Sequence, residues 1–361
     1  MLPPLATGET SNVRLNIKQM TFGEVRDNLL RQEVVDGASR LPAQLYEAVH
    51  RDSRSLDELH GIKKDRVRRC QEIFESPALR LRSVHRSDLD ASARYVFDLE
   101  DGNRVESVLL HHHGLWTVCV SSQAGCPLAC RFCATGMLGL ARDLRAWEIV
   151  DQVLQVAREA KVRVSDVVFM GMGEPLLNEE AVYRAATVLN QTHGCQISHR
   201  RINLSTSGVV PAIHRFIDER RPFRLLFSLC SADPEKRRRL MPLQERWGFE
   251  TFLDAVRRYE HYRRHKHVTL AYVAIKNLTM GDDDVEAIAH NLTGFKYILN
   301  VIPLNPVGTD LEAPAMEEVL EWTRKLRPLK IPVKIRYSGG QDQWAGCGQL
   351  GRTLLESGRT T

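Results

Sequence analysis

Trp116-Thr117-Val118-Cys119-Val120 runs through Ser121-Ser122-Gln123-Ala124 into Gly125-Cys126-Pro127-Leu128-Ala129-Cys130-Arg131-Phe132-Cys133-Ala134-Thr135-Gly136. The first five residues have the β-branched, apolar texture of a strand. The strand gives way to a loop with three cysteines at CxxxCxxC spacing. Three thiolates on one loop can wrap one face of a cubane iron–sulfur cluster. Such clusters are usually held by four cysteines, so three leave one iron open to a further chelator. A zinc site is the competing reading. Zinc motifs pair two short cysteine or histidine halves, and no second half lies nearby.

Beyond this stretch, β-rich runs recur at Val167–Met170, Ile202–Leu204, Leu225–Leu229, Val268–Ile275, Tyr297–Ile302 and Val333–Tyr337. Helical patterns lie between them, such as Ile149, Val150, Val153, Leu154 and Ala157 on one apolar face. Strands alternating with helices predict βα units and a parallel sheet. The expected fold class is therefore α/β, a partial (βα)6-type barrel over residues 95–352. Chemistry in that architecture sits at the C-terminal ends of the strands. Residues 1–90 read as a small helical accessory domain, and 353–361 as a tail. Thr21/Glu24 and Ser55/Glu58 have capping-box spacing. A helical hairpin joined at Gly61 would serve equally for packing or for meeting a phosphate.

The chain has 361 residues, 43% hydrophobic and 26% charged, which is ordinary globular composition. No apolar run approaches the roughly 20 residues of a membrane span, and the N-terminus lacks the basic start and apolar core of a secretory signal. The expectation is a cytoplasmic protein with no membrane partner. Net charge is +5, with basic clusters at Lys63–Arg69, His199–Arg201, Lys236–Arg239 and Arg257–Lys266. One such cluster is ordinarily a solvated helix face; four together point toward an RNA partner. Half of the eight cysteines fall between 119 and 133, which in such a chain reads as metal binding or catalysis.

Small polar groups stand where strands end. Gly173 and Glu174 follow the second run, Ser205 the third, Ser228-Leu229-Cys230 the fourth, and Asn305 a later one. They suit a cradle for S-adenosylmethionine (SAM), whose amino and carboxylate groups could chelate the open iron and whose ammonium Glu174 could accept.

Taken together, several stretches resemble the RlmN/Cfr family of radical-SAM RNA methyltransferases from about residue 95 to 352. They are Val105-Glu106-Ser107-Val108, Cys119 to Gly136, Phe169–Pro175, Ser205–Gly208, Ser228-Leu229, Leu240-Met241-Pro242, Ile302–Pro306 and Cys347-Gly348-Gln349-Leu350. The resemblance implies one 4Fe–4S cluster on Cys126, Cys130 and Cys133, with SAM bound by Gly173, Glu174, Ser205, Ser228, Leu229, Cys230 and Asn305. It implies two SAM per turnover: one methylates Cys347, and the other yields a 5′-deoxyadenosyl radical that takes hydrogen from that S-methyl group. The resulting thiomethylene radical adds to an electron-poor adenine carbon, Glu106 removes the ring proton, and Cys119 resolves the adduct. The substrate implied is 23S rRNA, with tRNA as a further candidate. Carbon 2 is favoured over carbon 8 because Gly171-Met172-Gly173-Glu174-Pro175 looks more like that branch. A reductant such as flavodoxin or ferredoxin, and a disulfide bond, are also implied.

The match departs from the family pattern in four places. Cys230 stands where histidine is usual. Gln343-Trp344-Ala345-Gly346 replaces the usual lead-in to Cys347. His111-His112-His113 is an addition that reads as a surface loop rather than a metal site. The N-terminal region matches poorly. Two other readings therefore stand beside the first: the same radical chemistry on a non-RNA substrate, and a non-catalytic iron–sulfur RNA-binding protein.

Overall fold

The computed structural model describes residues 14–358. The stretch tested above for a secretory signal and the last three residues of the tail lie outside the described residues. A two-residue strand β1 (Leu15–Asn16) pairs in parallel with β2 (Phe74–Glu75), and α1 (Phe22–Arg31), α2 (Leu41–His50) and α3 (Lys64–Ile73) lie between them. Ile17, Val25, Leu29, Leu45, Tyr46, Val49 and Phe74 form a core of their own there. The first predicted capping box is made: Thr21 N donates to Glu24 Oε2 at 2.7 Å, and Glu24 N to Thr21 Oγ1 at 3.4 Å. The second opens only a 3-10 turn at Leu56–Glu58, after which Gly61, at φ +78°, turns the chain toward α3. The predicted hairpin of two helices is thus a short turn followed by one helix.

Next come β3 (Arg80–Arg86), β4 (Ala93–Asp98), β5 (Arg104–His112) and β6 (Leu115–Cys119), an antiparallel meander. A small hairpin, β7 (Gln123–Gly125) and β8 (Leu140–Asp143), frames the cysteine loop and the short helix α4 (Ala134–Leu138). The chain then alternates through α5 (Ala146–Ala160), β9 (Val164–Phe169), α6 (Glu179–Asn190), β10 (Ile202–Thr206), α7 (Val210–Asp218), β11 (Arg224–Cys230), α8 (Pro234–Leu240), α9 (Phe249–Tyr262), β12 (Val268–Ala274), α10 (Asp282–Asn291), β13 (Tyr297–Pro303), α11 (Met316–Lys325) and β14 (Val333–Ile335), and reaches α12 (Arg352–Gly358). Ten strands make one open sheet in the order β14-β13-β12-β11-β10-β9-β6-β5-β4-β3.

Within the ten-stranded sheet, every pairing from β6 through β9 to β14 is parallel, as the alternation predicts. The helix-covered face of these strands is fully buried, as with Leu225, Phe227 and Leu229 of β11, while the residues between, such as Leu226 and Ser228, are half-buried on the other face. The meander extends the sheet beyond the barrel-like half. Its outermost strand β3 falls within the segment expected to be helical. With the sequence Arg80-Leu81-Arg82-Ser83-Val84-His85-Arg86 it is a charged edge strand, none of whose residues is fully buried, and so it carries little apolar signal.

One buried contact docks the N-terminal unit on the sheet. Lys18 ion-pairs with Asp151 of α5, and both are nearly excluded from solvent. The other Asp151 oxygen accepts from Leu79 N and Gln155 Nε2, each at 2.7 Å. Removing one member of a buried pair strands the other. Lys18→Met should therefore lower stability by about 3–5 kcal/mol, read as an earlier urea midpoint; a midpoint unchanged from the parent chain would contradict this account of the docking.

Candidate active site

The strand C-termini converge on one cavity. Its wall includes Cys126, Cys130, Cys133, Gly173, Glu174, Ser205, Ser207, Ser228, Asn305 and Cys347. Most of the residues singled out from sequence therefore face a common space. Cys119, Glu106, Leu229 and Cys230 do not line it.

Local geometry explains how the cysteine loop reaches that space. Gly125, at φ +86°, would place a Cβ 1.9 Å from Gly139 O, so only glycine allows β7 and β8 to close beneath the loop. Cys126 N donates to Gly139 O at 2.8 Å and Cys133 N to Cys130 O at 3.1 Å. Burial pushes the Cys126 thiol up to about 12 and the Cys130 thiol well above its usual value. Burial also raises Cys133, while backbone N–H groups of Thr135 and Gly136 face its sulfur and offset part of the effect. Such thiols become thiolates when a positive metal centre replaces their protons.

Glu174 is buried, and its carboxylate is aimed by backbone donors: Ser207 N to Oε2 at 2.8 Å and Leu176 N to Oε1 at 3.1 Å. Its own N–H donates to Gln123 Oε1 at 2.8 Å. Gly173, at φ +100°, lets that turn press on Gln123, where a Cβ would come within 2.6 Å of the Gln123 Cβ. Burial raises the Glu174 carboxyl to about 6 despite those donors. Ser205 and Ser228 lie on neighbouring strands with their hydroxyls 3.5 Å apart.

Asn305 does more than line the cavity. Its Nδ2 donates to Cys347 O and to Ser338 Oγ, each at 2.9 Å, so it holds the loop that carries Cys347. Ala134 N donates to Gly348 O at 2.7 Å, tying that loop to the cysteine motif. Cys119, at the end of β6, is buried close to Cys347. Burial first, then the nearby Cys347, raises it to about 12, with Arg336 opposing. All eight cysteines are free, so the expected disulfide is not present.

Glu106 sits on β5 as a buried carboxylate, accepting from Arg94 Nη1 at 2.6 Å, Gly351 N at 2.9 Å and Thr353 Oγ1 at 3.1 Å. Cys230 follows a register shift in β11 and has φ +64°; it is fully buried and outside the cavity wall. Leu229 is likewise in the core. Trp344 packs under the Arg352 guanidinium, 3.7 Å from its ring centre. The His111–His113 run is an exposed hairpin end, with His111 against Trp116.

Sequence reasoning missed Arg237. Set in the Lys236–Arg239 run, it reads as a surface cation, yet it is buried and donates to Leu229 O, Ser207 O and Gln244 Oε1 at 2.9–3.0 Å. It thereby ties together the ends of β10 and β11. Its neighbours Lys236 and Arg238 are ion-paired with Asp283, Asp284 and Glu235, and Arg239 is exposed.

Comparison with known proteins gives this site a context. The Radical SAM superfamily model matches residues 120–292. A solved radical SAM methyltransferase from Sphaerobacter thermophilus superposes with a TM-score of 0.86 at 33% identity, covering 94% of this chain and 99% of that one. A protein of Anaeromyxobacter sp. (strain Fw109-5) named "Probable RNA methyltransferase" is 46% identical over 268 residues, 72% of this chain and 78% of its own length. The "Probable dual-specificity RNA methyltransferase RlmN" of Thermotoga sp. (strain RQ2) is 36% identical over 337 residues, 91% of this chain and 98% of its own length.

The chain belongs to the RlmN family of radical-SAM RNA methyltransferases.

The family implies SAM and an iron–sulfur cluster, and the residues present fit both. Three thiols line one cavity. Among the described residues, however, no three His, Cys, Asp or Glu side chains converge on a single ion, as a zinc centre would need. A cluster of several atoms spreads its ligands, so this donor set suits it. Membership of an enzyme family also decides against the non-catalytic reading. Among the described residues no helix is long and apolar enough to cross a membrane.

Proposed function

We propose that this protein methylates a ring carbon of adenine, carbon 2 in preference to carbon 8, in 23S rRNA, with tRNA as a further substrate, through a methyl group carried on Cys347. The observation that carries the reading is the position of Cys347 on the wall of the cavity that also holds Cys126, Cys130, Cys133 and Glu174.

When bound, one 4Fe–4S cluster on the three cysteines and SAM supply a 5′-deoxyadenosyl radical, with the electron from a reductant such as flavodoxin or ferredoxin. The chain's own residues do the rest. Adenine carbons 2 and 8 are not nucleophiles, so a carrier that presents its methyl group to a radical is required. Asn305 holds the Cys347 backbone in place. Ser205 and Ser228 offer hydroxyls at neighbouring strand ends for the bound nucleoside or methionine groups. Cys119, buried near Cys347, attacks the carrier sulfur of the adduct after one electron and the ring proton have left it: an S–S bond to Cys347 forms as the sulfur–carbon bond breaks, the product carbon takes a proton, and a thiol reductant then restores the two cysteines. Glu106 takes the ring proton once the Gly351 and Thr353 donors leave its carboxylate. Leu229 and Cys230 act from behind the wall, shaping the strand end rather than touching SAM. The target base must leave its stack to enter. Exposed Lys63, Lys64 and Arg66 are available to RNA phosphates.

Glu174 sets a pH dependence. A SAM ammonium binds the ionised carboxylate, and the free site holds its proton up to about pH 6. Affinity should be full above that pH and should fall as pH drops through it, approaching about tenfold per unit. Equilibrium dialysis of labelled SAM between pH 5 and 7.5 reads this directly; an affinity flat across that range would remove Glu174 from the ammonium site.

The function itself is tested in cells. Mass spectrometry of nucleosides from rRNA and tRNA of a deletion strain should show loss of one methyladenosine. Unchanged adenosine methylation in both RNAs would overturn the reading and favour another substrate.

A further inference from the structure

The segment that carries Cys347 is a strap across the open side of the sheet. It leaves the β14 edge, where Arg336 N donates to Val301 O at 2.8 Å, and passes Asn305 at the end of β13. It then touches the cysteine loop through Ala134 N and Gly348 O. At the far side it meets the turn between β3 and β4, where Asp342 accepts from Ser87 Oγ at 2.7 Å and Asp88 N at 2.9 Å, and Gly340 N donates to Asp90 Oδ2 at 3.0 Å.

One buried ion pair grips this strap on both sides of Cys347. Arg94 on β4 uses one edge of its guanidinium for Glu106 on β5, at 2.6 Å, and its Nε for Gln343 O, at 2.7 Å. Glu106 uses its other oxygen for Gly351 N at 2.9 Å, while Thr353 Oγ1 shares the first at 3.1 Å. Residues 343 and 351 stand four positions before and four after Cys347. Arg94 and Glu106 are 4% and 1% exposed, and neither lines the cavity. An ion pair this deeply desolvated holds its geometry only when every remaining donor and acceptor is used. Here Arg94 Nε and both Glu106 oxygens are spent on the strap.

We propose that the Arg94–Glu106 pair is the clamp that fixes Cys347 over the cavity, so that Arg94 is a positioning residue for the methyl-carrying thiol. The proposal rests on the reading of Cys347 as carrier, but its geometry does not need the RNA. It also means that the carboxylate assigned to take the ring proton is engaged while the strap is closed.

Arg94→Lys is the sharpest test. Lysine keeps the charge beside Glu106, but a single ammonium cannot reproduce the fork that reaches both Glu106 and Gln343 O. In the reconstituted holoenzyme, amide exchange over residues 341–353 should accelerate about tenfold or more, with β9 to β12 unchanged. Alkylation of Cys347 by iodoacetamide, mapped by peptide mass spectrometry, should accelerate by a similar factor. Formation of 5′-deoxyadenosine without RNA should stay within about twofold, whereas kcat for methyl transfer should fall on the order of 100-fold with KM for RNA little changed. Thr353→Val, which removes one donor to the same carboxylate, should move the strap readings in the same direction by less. Unchanged exchange and alkylation at the strap in both variants would overturn the clamp, and so would acceleration spread evenly over the whole chain. If no RNA is methylated by the parent protein, the proposed function fails while the exchange and alkylation readings still decide the clamp.

Discussion

Cys347→Ala should abolish RNA methylation, by more than about 10³-fold, while leaving cluster content and reductive SAM cleavage in place. The substitution removes one sulfur from a partly exposed position. The contacts that hold the strap there run through backbone atoms: Cys347 O to Asn305 and Gly348 O to Ala134 N. The fold therefore loses little, and the three cluster thiols keep their surroundings. The lost sulfur is the one that carries the methyl group between the radical source and the base. Cys119→Ala should fail later. With Cys347 intact the methylene bridge to RNA still forms, but the buried thiol that releases it is gone. Denaturing gels should then show a protein–RNA adduct with Cys119→Ala and none with Cys347→Ala. Methylation persisting in Cys347→Ala would refute the carrier role outright.

Cys130→Ala should have the second large effect, at an earlier step. Cys130 is the most buried of the three motif cysteines, and its thiol is held far from ionisation by burial and by its two neighbours. Without a metal centre that arrangement is unfavourable for thiolates; with one, all three sulfurs are compensated together. Two remaining ligands should not retain the cluster. Iron should fall from about four per chain to well under one, the visible absorbance should be lost, and both 5′-deoxyadenosine and methyladenosine should become undetectable. Because a group that binds only the folded chain stabilises it by mass action, the melting temperature of the reconstituted variant should drop to that of the metal-free parent. Full iron content in Cys130→Ala would show that the cluster is held elsewhere.

The parallel half of the fold was legible because its strands are short apolar, β-branched runs with one face fully buried and the other at least half-buried. All seven apolar runs from Trp116 to Tyr337 coincide with strands of the sheet. The antiparallel meander was harder to read. β3 is charged and at the edge, and β4 and β5 are buried along most of their length, so they lack the alternation that marks a half-exposed antiparallel strand. The cavity's own residues were legible where chemistry fixes the residue type, as with Cys126, Cys130, Cys133 and Glu174. Supporting residues were not. Arg237 lies in a basic run whose other members face solvent or acids, and nothing local distinguishes the buried one. Arg94 is separated from Gln343 by most of the chain, so its partnership appears only when the strap is folded across the sheet. Cys230 follows Ser228 and Leu229 at a strand end, where the sequence suggests a SAM contact, and it is buried outside the cavity wall.

The most direct test of the central claim uses SAM bearing a trideuterated methyl group, anaerobically reconstituted protein, a reductant and unmodified 23S rRNA, followed by digestion to nucleosides and mass spectrometry. A methyl group that passes through a thiomethylene on Cys347 must lose one deuterium atom to the 5′-deoxyadenosyl radical and gain one proton at release. The account predicts methyladenosine retaining two of the three deuterons, with the missing one in 5′-deoxyadenosine. Methyladenosine retaining all three would mean direct polar transfer, and 5′-deoxyadenosine formed without any labelled methyladenosine would mean that the RNA is not the substrate.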